Sequence, residues 1–244
     1  MPKGLLVDLW GTLFWPSLPL EDYYRLRSQK ILAVLKNSGF AFNLETVYHA
    51  YIEARRLADK VRNTSHHEID VIGEMVILLD KLGVEPREDL LSTLVEATMY
   101  PYTNNLSLTP GAREVLELAG RLGYKVILAS NTMSGEYTVQ LLRKAGILHL
   151  FDFLAFSDEI GFRKPHPRFF SRIISHTGIT PIDSVFVGDE EGDIEGAKKF
   201  GMKTIAFTGF QEYKGRTPPD YLAGSMEEVR NILESLTLRS RGKD

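Results

Sequence analysis

The segment Gly4-Leu5-Leu6-Val7-Asp8-Leu9-Trp10-Gly11-Thr12 decides the fold class. Leu5, Leu6 and Val7 form a continuous apolar run, not an alternating one, which is the pattern of a strand covered on both faces, as in a parallel sheet. The strand read from Gly4 to Trp10 breaks into a polar turn from Asp8 to Thr12. A carboxylate therefore stands where the strand gives way to a loop.

The same grammar returns after Pro101. Strands at Tyr124 to Ala129, Phe153 to Phe156, Val185 to Gly188 and Lys203 to Phe207 alternate with helices at Ser134 to Ala145, near Pro167 to Thr177, and at Asp193 to Phe200. Such repetition of strand, helix and parallel strand predicts an α/β, Rossmann-like open parallel sheet. Thr109-Pro110 reads as the cap and first residue of a further helix, and Ser225-Met226-Glu227-Glu228 as a capping box opening a last helix to about Leu236.

Between the first strand and this alternating region the period is helical throughout. Val47, Tyr51, Ala54, Ala58 and Val61 share one stripe, Ile69, Ile72, Val76 and Leu79 another. Gly39 and Gly83 stand where helices stop, and Asn43 where one is capped, so four helices are expected in an inserted all-helical block. The expected division is a core of residues 1–15 and 101–244 with a helical domain of residues 16–100.

A chain of 244 residues with charge −3 and 25% charged residues is an ordinary globular protein, and that balance speaks against a dedicated nucleic-acid binder. Arg239, Arg241 and Lys243 are too sparse to reverse this. With 0 cysteines, disulfides, thiolate metal sites and a cysteine nucleophile are excluded, leaving carboxylates, hydroxyls, His and Lys for chemistry. No apolar run approaches a membrane span, and the N-terminus leads into a strand, so no membrane association and a cytoplasmic location are expected.

In an open parallel sheet, ligands bind beyond the carboxyl ends of the strands. Asp8, Ser130-Asn131, Lys164 and Asp189 all fall in loops on that edge. Carboxylates gathered there repel one another unless a proton or a cation intervenes. Asp8, Asp189 and Asp193 form an all-oxygen set suited to magnesium, which keeps positions for water and a phosphoryl oxygen. His66-His67 lack the i, i+4 spacing of two ligands on one helix face and read as a solvated helix start.

These segments resemble the haloacid dehalogenase-like hydrolase superfamily, most of whose members are aspartate-nucleophile phosphatases. Asp8-Leu9-Trp10-Gly11-Thr12-Leu13 is similar to its first motif, Ser130-Asn131-Thr132 to its second, Lys164-Pro165-His166-Pro167 to its third, and Gly188-Asp189-Glu190-Glu191-Gly192-Asp193 to its fourth. Residues of about 16 to 100 resemble its helical cap. The resemblance implies that Asp8 is the nucleophile, forming an aspartyl-phosphate on a small phosphorylated substrate, and that Ser130 and the amide of Asn131 bind phosphoryl oxygen. It implies that Lys164 neutralises charge on both, that Thr12 helps fix the first loop, and that Asp8, the Trp10 carbonyl and Asp189 hold Mg2+ with Asp193 close by.

One position departs from the pattern. Two residues after the nucleophile, phosphatases of the family carry a second Asp that protonates the leaving group; here Trp10 stands there, and indole supplies no such proton. Turnover limited to good leaving groups follows, with Glu190, Glu191, His166 or a cap carboxylate as candidate replacement acids. Dehalogenases of the family carry an aromatic Tyr at that position and work without metal, so metal-independent 2-haloacid dehalogenation is the alternative, and a non-catalytic phosphate- or partner-binding protein the third. The acidic fourth motif favours the phosphatase.

Overall fold

The computed structural model describes residues 2–241, with side chains through residue 238. The basic tail of Arg239, Arg241 and Lys243 thus lies outside the described side chains. In chain order the elements are β1 (Lys3–Val7), β2 (Phe14–Pro16), α1 (Leu20–Asn37), α2 (Leu44–Ser65), α3 (Val71–Leu82), α4 (Glu88–Asn104) and β3 (Leu106–Leu108). There follow α5 (Ala112–Arg121), β4 (Tyr124–Ser130), α6 (Gly135–Lys144), β5 (Phe153–Phe156), α7 (Ser157–Ile160), α8 (Pro167–Thr177), β6 (Val185–Gly188), α9 (Glu191–Lys199), β7 (Lys203–Phe207), β8 (Tyr221–Ala223) and α10 (Met226–Arg241). The chain divides into two compact units, one of Met1–Trp15, Leu108–Asn131 and Ala145–Asp244, the other of Pro16–Ser107 and Thr132–Lys144.

The first unit is built on a six-stranded sheet in the order β5-β4-β1-β6-β7-β8, whose neighbouring strands all run parallel. The expected α/β parallel-sheet class is what forms. Val7 pairs with Leu128 on one side and Val187 on the other, so β1 ends two residues before β4 and one before β6, at the same edge of the sheet. Leu6, Ile127, Phe169, Phe170, Ile173 and Phe186 are all 0% exposed and form one cluster of the core. Gly196 on α9 lies against the Phe170 ring so closely that a Cβ there would collide with it, which lets the helix approach the aromatic layer.

The second unit is helical. Ile31, Leu35, Val47, Tyr51, Met75, Leu78 and Leu94 share its core. Asn43 caps α2, its Oδ1 accepting from the Thr46 amide at 2.9 Å, and Gly83 ends α3 in the left-handed region. This unit takes in residues 101–107 and 132–144, which the sequence places with the sheet, because α4 continues through Pro101 and the Tyr102 hydroxyl bonds the Thr138 hydroxyl of α6 at 2.9 Å.

Two local expectations change. Thr109 does not cap a helix: α5 begins at Ala112 after Gly111, and the Thr109 hydroxyl instead donates to the Thr12 carbonyl at 2.7 Å, tying the start of this segment to the first loop. The last helix runs to Arg241, past the expected stop near Leu236. Among the described residues no helix is long and apolar enough to cross a membrane.

Candidate active site

The parallel register carries the site. Because β1, β4 and β6 finish at the same edge of the sheet, the residues at and just past their ends meet there, and the Asp8 amide donates to the Val187 carbonyl at 2.9 Å, extending the β1 and β6 pairing by one step. Asp8, Asp189 and Asp193 each offer an oxygen within 4.8 Å of the others, all three side chains buried. The first loop folds back on itself, the Gly11 amide donating to the Phe14 carbonyl and the Phe14 amide to the Leu9 carbonyl. Gly11 has φ +82, and any side chain there would run into the Asp189 carboxylate, so glycine is required on both counts.

Lys164 enters from the loop after α7. Its Nζ lies 2.5 Å from Asp8 Oδ1, 2.7 Å from Asp193 Oδ1 and 2.6 Å from the Ala129 carbonyl, so its three protons have three acceptors. Asn131 holds the backbone of this residue in place: its Oδ1 accepts from the Lys164 amide at 2.9 Å and its Nδ2 donates to the Lys164 carbonyl at 3.4 Å. The side chain of Asn131 thus positions the lysine, a task the sequence does not suggest.

Three carboxylates and one ammonium leave two negative charges in excess if all ionise, in a place where all four residues are buried. Burial pushes the Asp189 carboxyl up to about 9, with Asp8 and Asp193 adding to the effect. Burial likewise raises Asp8 to about 7, the opposing pull of Lys164 being outweighed with the help of Asp193. Burial alone would lower the Lys164 ammonium, but Asp193 and Asp8 overcome it and raise it instead. A second cation would relieve this excess. The donors are all oxygen, and Asp189 Oδ1 is buried without a hydrogen-bond partner, so the arrangement fits a hard divalent cation.

A residue without any motif completes the centre. Gln211, in the segment between β7 and β8, donates from Nε2 to Asp189 Oδ2 at 2.7 Å, which orients the carboxylate. That segment is in turn clamped by Glu191, whose Oε1 accepts from the Thr217 amide at 3.0 Å and its hydroxyl at 2.6 Å, while Oε2 accepts from the Arg216 amide. These bonds, the Thr217 hydroxyl first, hold Glu191 below the usual carboxylate range. Only the folded chain reveals the pairing, since residues 191 and 217 share no pattern.

Glu190, Glu191 and His166, expected as replacement acids, are otherwise engaged. Glu191 is the clamp just described. Glu190 caps α9 in a reciprocal box with Asp193, whose Oδ2 accepts from the Glu190 amide at 3.1 Å. His166 stacks on Phe162 with ring centres 4.2 Å apart and accepts at Nδ1 from the Arg168 amide at 3.2 Å. Of the other expected residues, Ser130 ends β4 and is 1% exposed, and the Thr12 hydroxyl is buried without a hydrogen-bond partner while its carbonyl receives Thr109. Trp10 is half-buried, and its ring lies 6.0 Å from that of Trp15.

The haloacid dehalogenase-like hydrolase family model matches residues 2–201. A glyceraldehyde 3-phosphate phosphatase of Methanopyrus kandleri is 28% identical over 250 residues, covering 100% of both chains. An (S)-2-haloacid dehalogenase 4A of Burkholderia cepacia is 25% identical over 191 residues, or 78% of this chain and 72% of that one. In structure, a 2-haloacid dehalogenase of Pseudomonas syringae pv. Tomato superposes with a TM-score of 0.71 at 20% identity, covering 96% of this chain and 99% of that one. The likeness in structure is one of fold. Matched by the family model over most of its length, the chain belongs to the haloacid dehalogenase-like hydrolases.

Proposed function

We propose that the protein is a phosphatase that transfers the phosphoryl group of a small phosphorylated molecule to Asp8 and then to water. The observation that carries this reading is the buried set of Asp8, Asp189 and Asp193, with Lys164 paired to Asp8 and Asp193 and more negative charge than the lysine offsets. The name of the full-length Methanopyrus kandleri relative supports it. The helical unit takes the part of the family's cap.

In this reading an oxygen of Asp8 attacks phosphorus, the bond from phosphorus to the leaving oxygen breaks, and that oxygen departs with the electron pair. Lys164 balances charge on Asp8 and the entering phosphoryl group, which Ser130 and the Asn131 amide receive. Asp8, Asp189, Asp193 and the Trp10 carbonyl would hold a divalent cation, magnesium in this reading, whose charge would bring the anionic nucleophile and phosphoryl group together. Water then attacks phosphorus, the bond to Asp8 breaks, phosphate leaves, and the carboxylate is restored as a proton passes to solvent. With indole at Trp10 the leaving oxygen gains no proton from that side chain, so turnover depends steeply on leaving-group acidity.

A second reading, displacement of halide from a 2-haloacid, is favoured by the aromatic residue at Trp10 and by the name of the Burkholderia cepacia relative. One assay separates the two. Phosphate release from p-nitrophenyl phosphate that needs both magnesium and Asp8, and is lost in Asp8→Asn, supports the phosphatase. Metal-independent chloride release from 2-chloropropionate, with no phosphate release, overturns it.

A further inference from the structure

Aromatic rings lead outward from the sheet core to the nucleophile's loop. Phe207, buried at the end of β7, meets Phe210 edge-on with ring centres 5.9 Å apart. Phe210 lies flat on Trp15, 5.1 Å between centres and 8° between planes, and Trp15 lies 6.0 Å from Trp10 at 50°. The outer members, Trp10, Trp15 and Phe210, are each half-buried.

One bond ties this row to the carboxylates. Gln211, the neighbour of Phe210, donates to Asp189, while within the first loop Trp10 bridges Phe14, the neighbour of Trp15. The segment bearing Phe210 is held at its other end by Glu191 through Thr217. The segment bearing Phe210 is thus set in place by the same contact that orients Asp189.

We propose that Trp10, Trp15 and Phe210 form an aromatic shelf that receives the ring of the leaving group, making the preferred substrates aryl phosphates. This inference rests on the phosphatase reading. Two separate facts converge on it. A half-buried row of aromatic rings that reaches the nucleophile's loop favours a flat aromatic partner, by offset or edge-on contact. A leaving oxygen that departs with its electron pair and no proton from Glu190 or Glu191, both tied to backbone amides, does so readily when a ring delocalises the charge. The aryloxide then takes its proton from water.

The protein carries its own probe, since it has 2 tryptophans and both belong to the shelf. Binding of phenylphosphonate and of methylphosphonate to the full chain with magnesium is followed by intrinsic fluorescence. The expected result is a change in emission with phenylphosphonate and its tighter binding, with Phe210→Ala lowering the preference for the phenyl compound roughly 2- to 12-fold. Phe210→Leu, which keeps apolar bulk without a flat ring, gives the same direction if the alanine variant fails to fold.

Turnover supplies the second arm: phenyl phosphate against hexafluoroisopropyl phosphate, chosen for similar leaving-group acidity. The shelf predicts a higher kcat/KM for the phenyl ester, carried by KM, and a smaller ratio in Phe210→Leu. Equal kcat/KM with normal hydrolysis overturns the shelf and leaves the phosphatase reading standing. Ring-dependent binding without hydrolysis of either ester supports the shelf and sinks the phosphatase. If neither phosphonate binds, both fall.

Discussion

Lys164 Nζ sits 2.5 Å from Asp8 Oδ1, an ion pair joining residues 156 positions apart, and the side chain of Lys164 is 1% exposed. Replacing Lys164 with Met leaves Asp8 and Asp193 buried without their cation. Breaking a buried pair from one side costs about 3–5 kcal/mol, so a fall in Tm on the order of 10 °C is expected. Turnover of p-nitrophenyl phosphate should drop at least about 100-fold. Magnesium should restore part of the Tm and little of the turnover; a variant with unchanged melting and rate would contradict this account.

The raised carboxyls give a pH signature with a definite sign. For an acid whose pKa rises on folding, the folded protein retains a proton that the unfolded chain loses above the ordinary value, and stability declines with pH until the folded value is passed. With Asp189 raised from 3.8 to about 9, this decline spans that whole interval in the metal-free protein. Asp189→Asn should therefore melt higher than wild type without metal, by a margin that grows from pH 5 to pH 9. A margin independent of pH would show that Asp189 is not strained by its neighbours.

Gln211 should matter for metal more than for folding. Partners that orient a ligating carboxylate typically carry about 10- to 100-fold in metal affinity. Gln211→Ala is expected to weaken magnesium binding by that order while Tm without metal changes little, as read by calorimetric titration and melting. Unaltered magnesium affinity would mean that the 2.7 Å bond to Asp189 is incidental.

Gly196 and Phe170 should be coupled. Because a Cβ at Gly196 would overlap the Phe170 ring, Gly196→Ala forces the ring or helix α9 to shift, an overpacking penalty of about 1–3 kcal/mol. Phe170→Leu opens that space at its own cost. In denaturant unfolding, the double variant should be more stable than the sum of the singles by about 0.5–3 kcal/mol. Strict additivity would argue that the contact does not limit helix packing.

The α/β class, the helical block and the four chemistry-bearing segments were legible in the chain because each rests on local pattern. Unbroken apolar runs such as Leu5-Leu6-Val7 mark strands covered on both faces, a 3.6 period marks α1 to α4, and polar residues directly after strands mark the carboxyl edge. What lay beyond reach was set by neighbours distant in sequence. Thr109 reads as a helix cap, yet its hydroxyl is taken by the Thr12 carbonyl 97 residues away. The Asn131 side chain carries no signal in the chain, yet it grips the backbone of Lys164. Glu191 reads as a spare acid, yet Thr217 and Arg216 consume its oxygens.

Which side chains stand at the ends of the strands follows from the chain alone, since the alternation of apolar runs and turn residues is written in neighbouring positions. What those side chains do to one another depends on folding. The adjacent ends of β1 and β6 bring Asp8, Asp189 and Asp193 within 4.8 Å. Burial there, where water no longer screens charge, raises the pKa values of Asp8 and Asp189 and gives Lys164 and Gln211 their tasks.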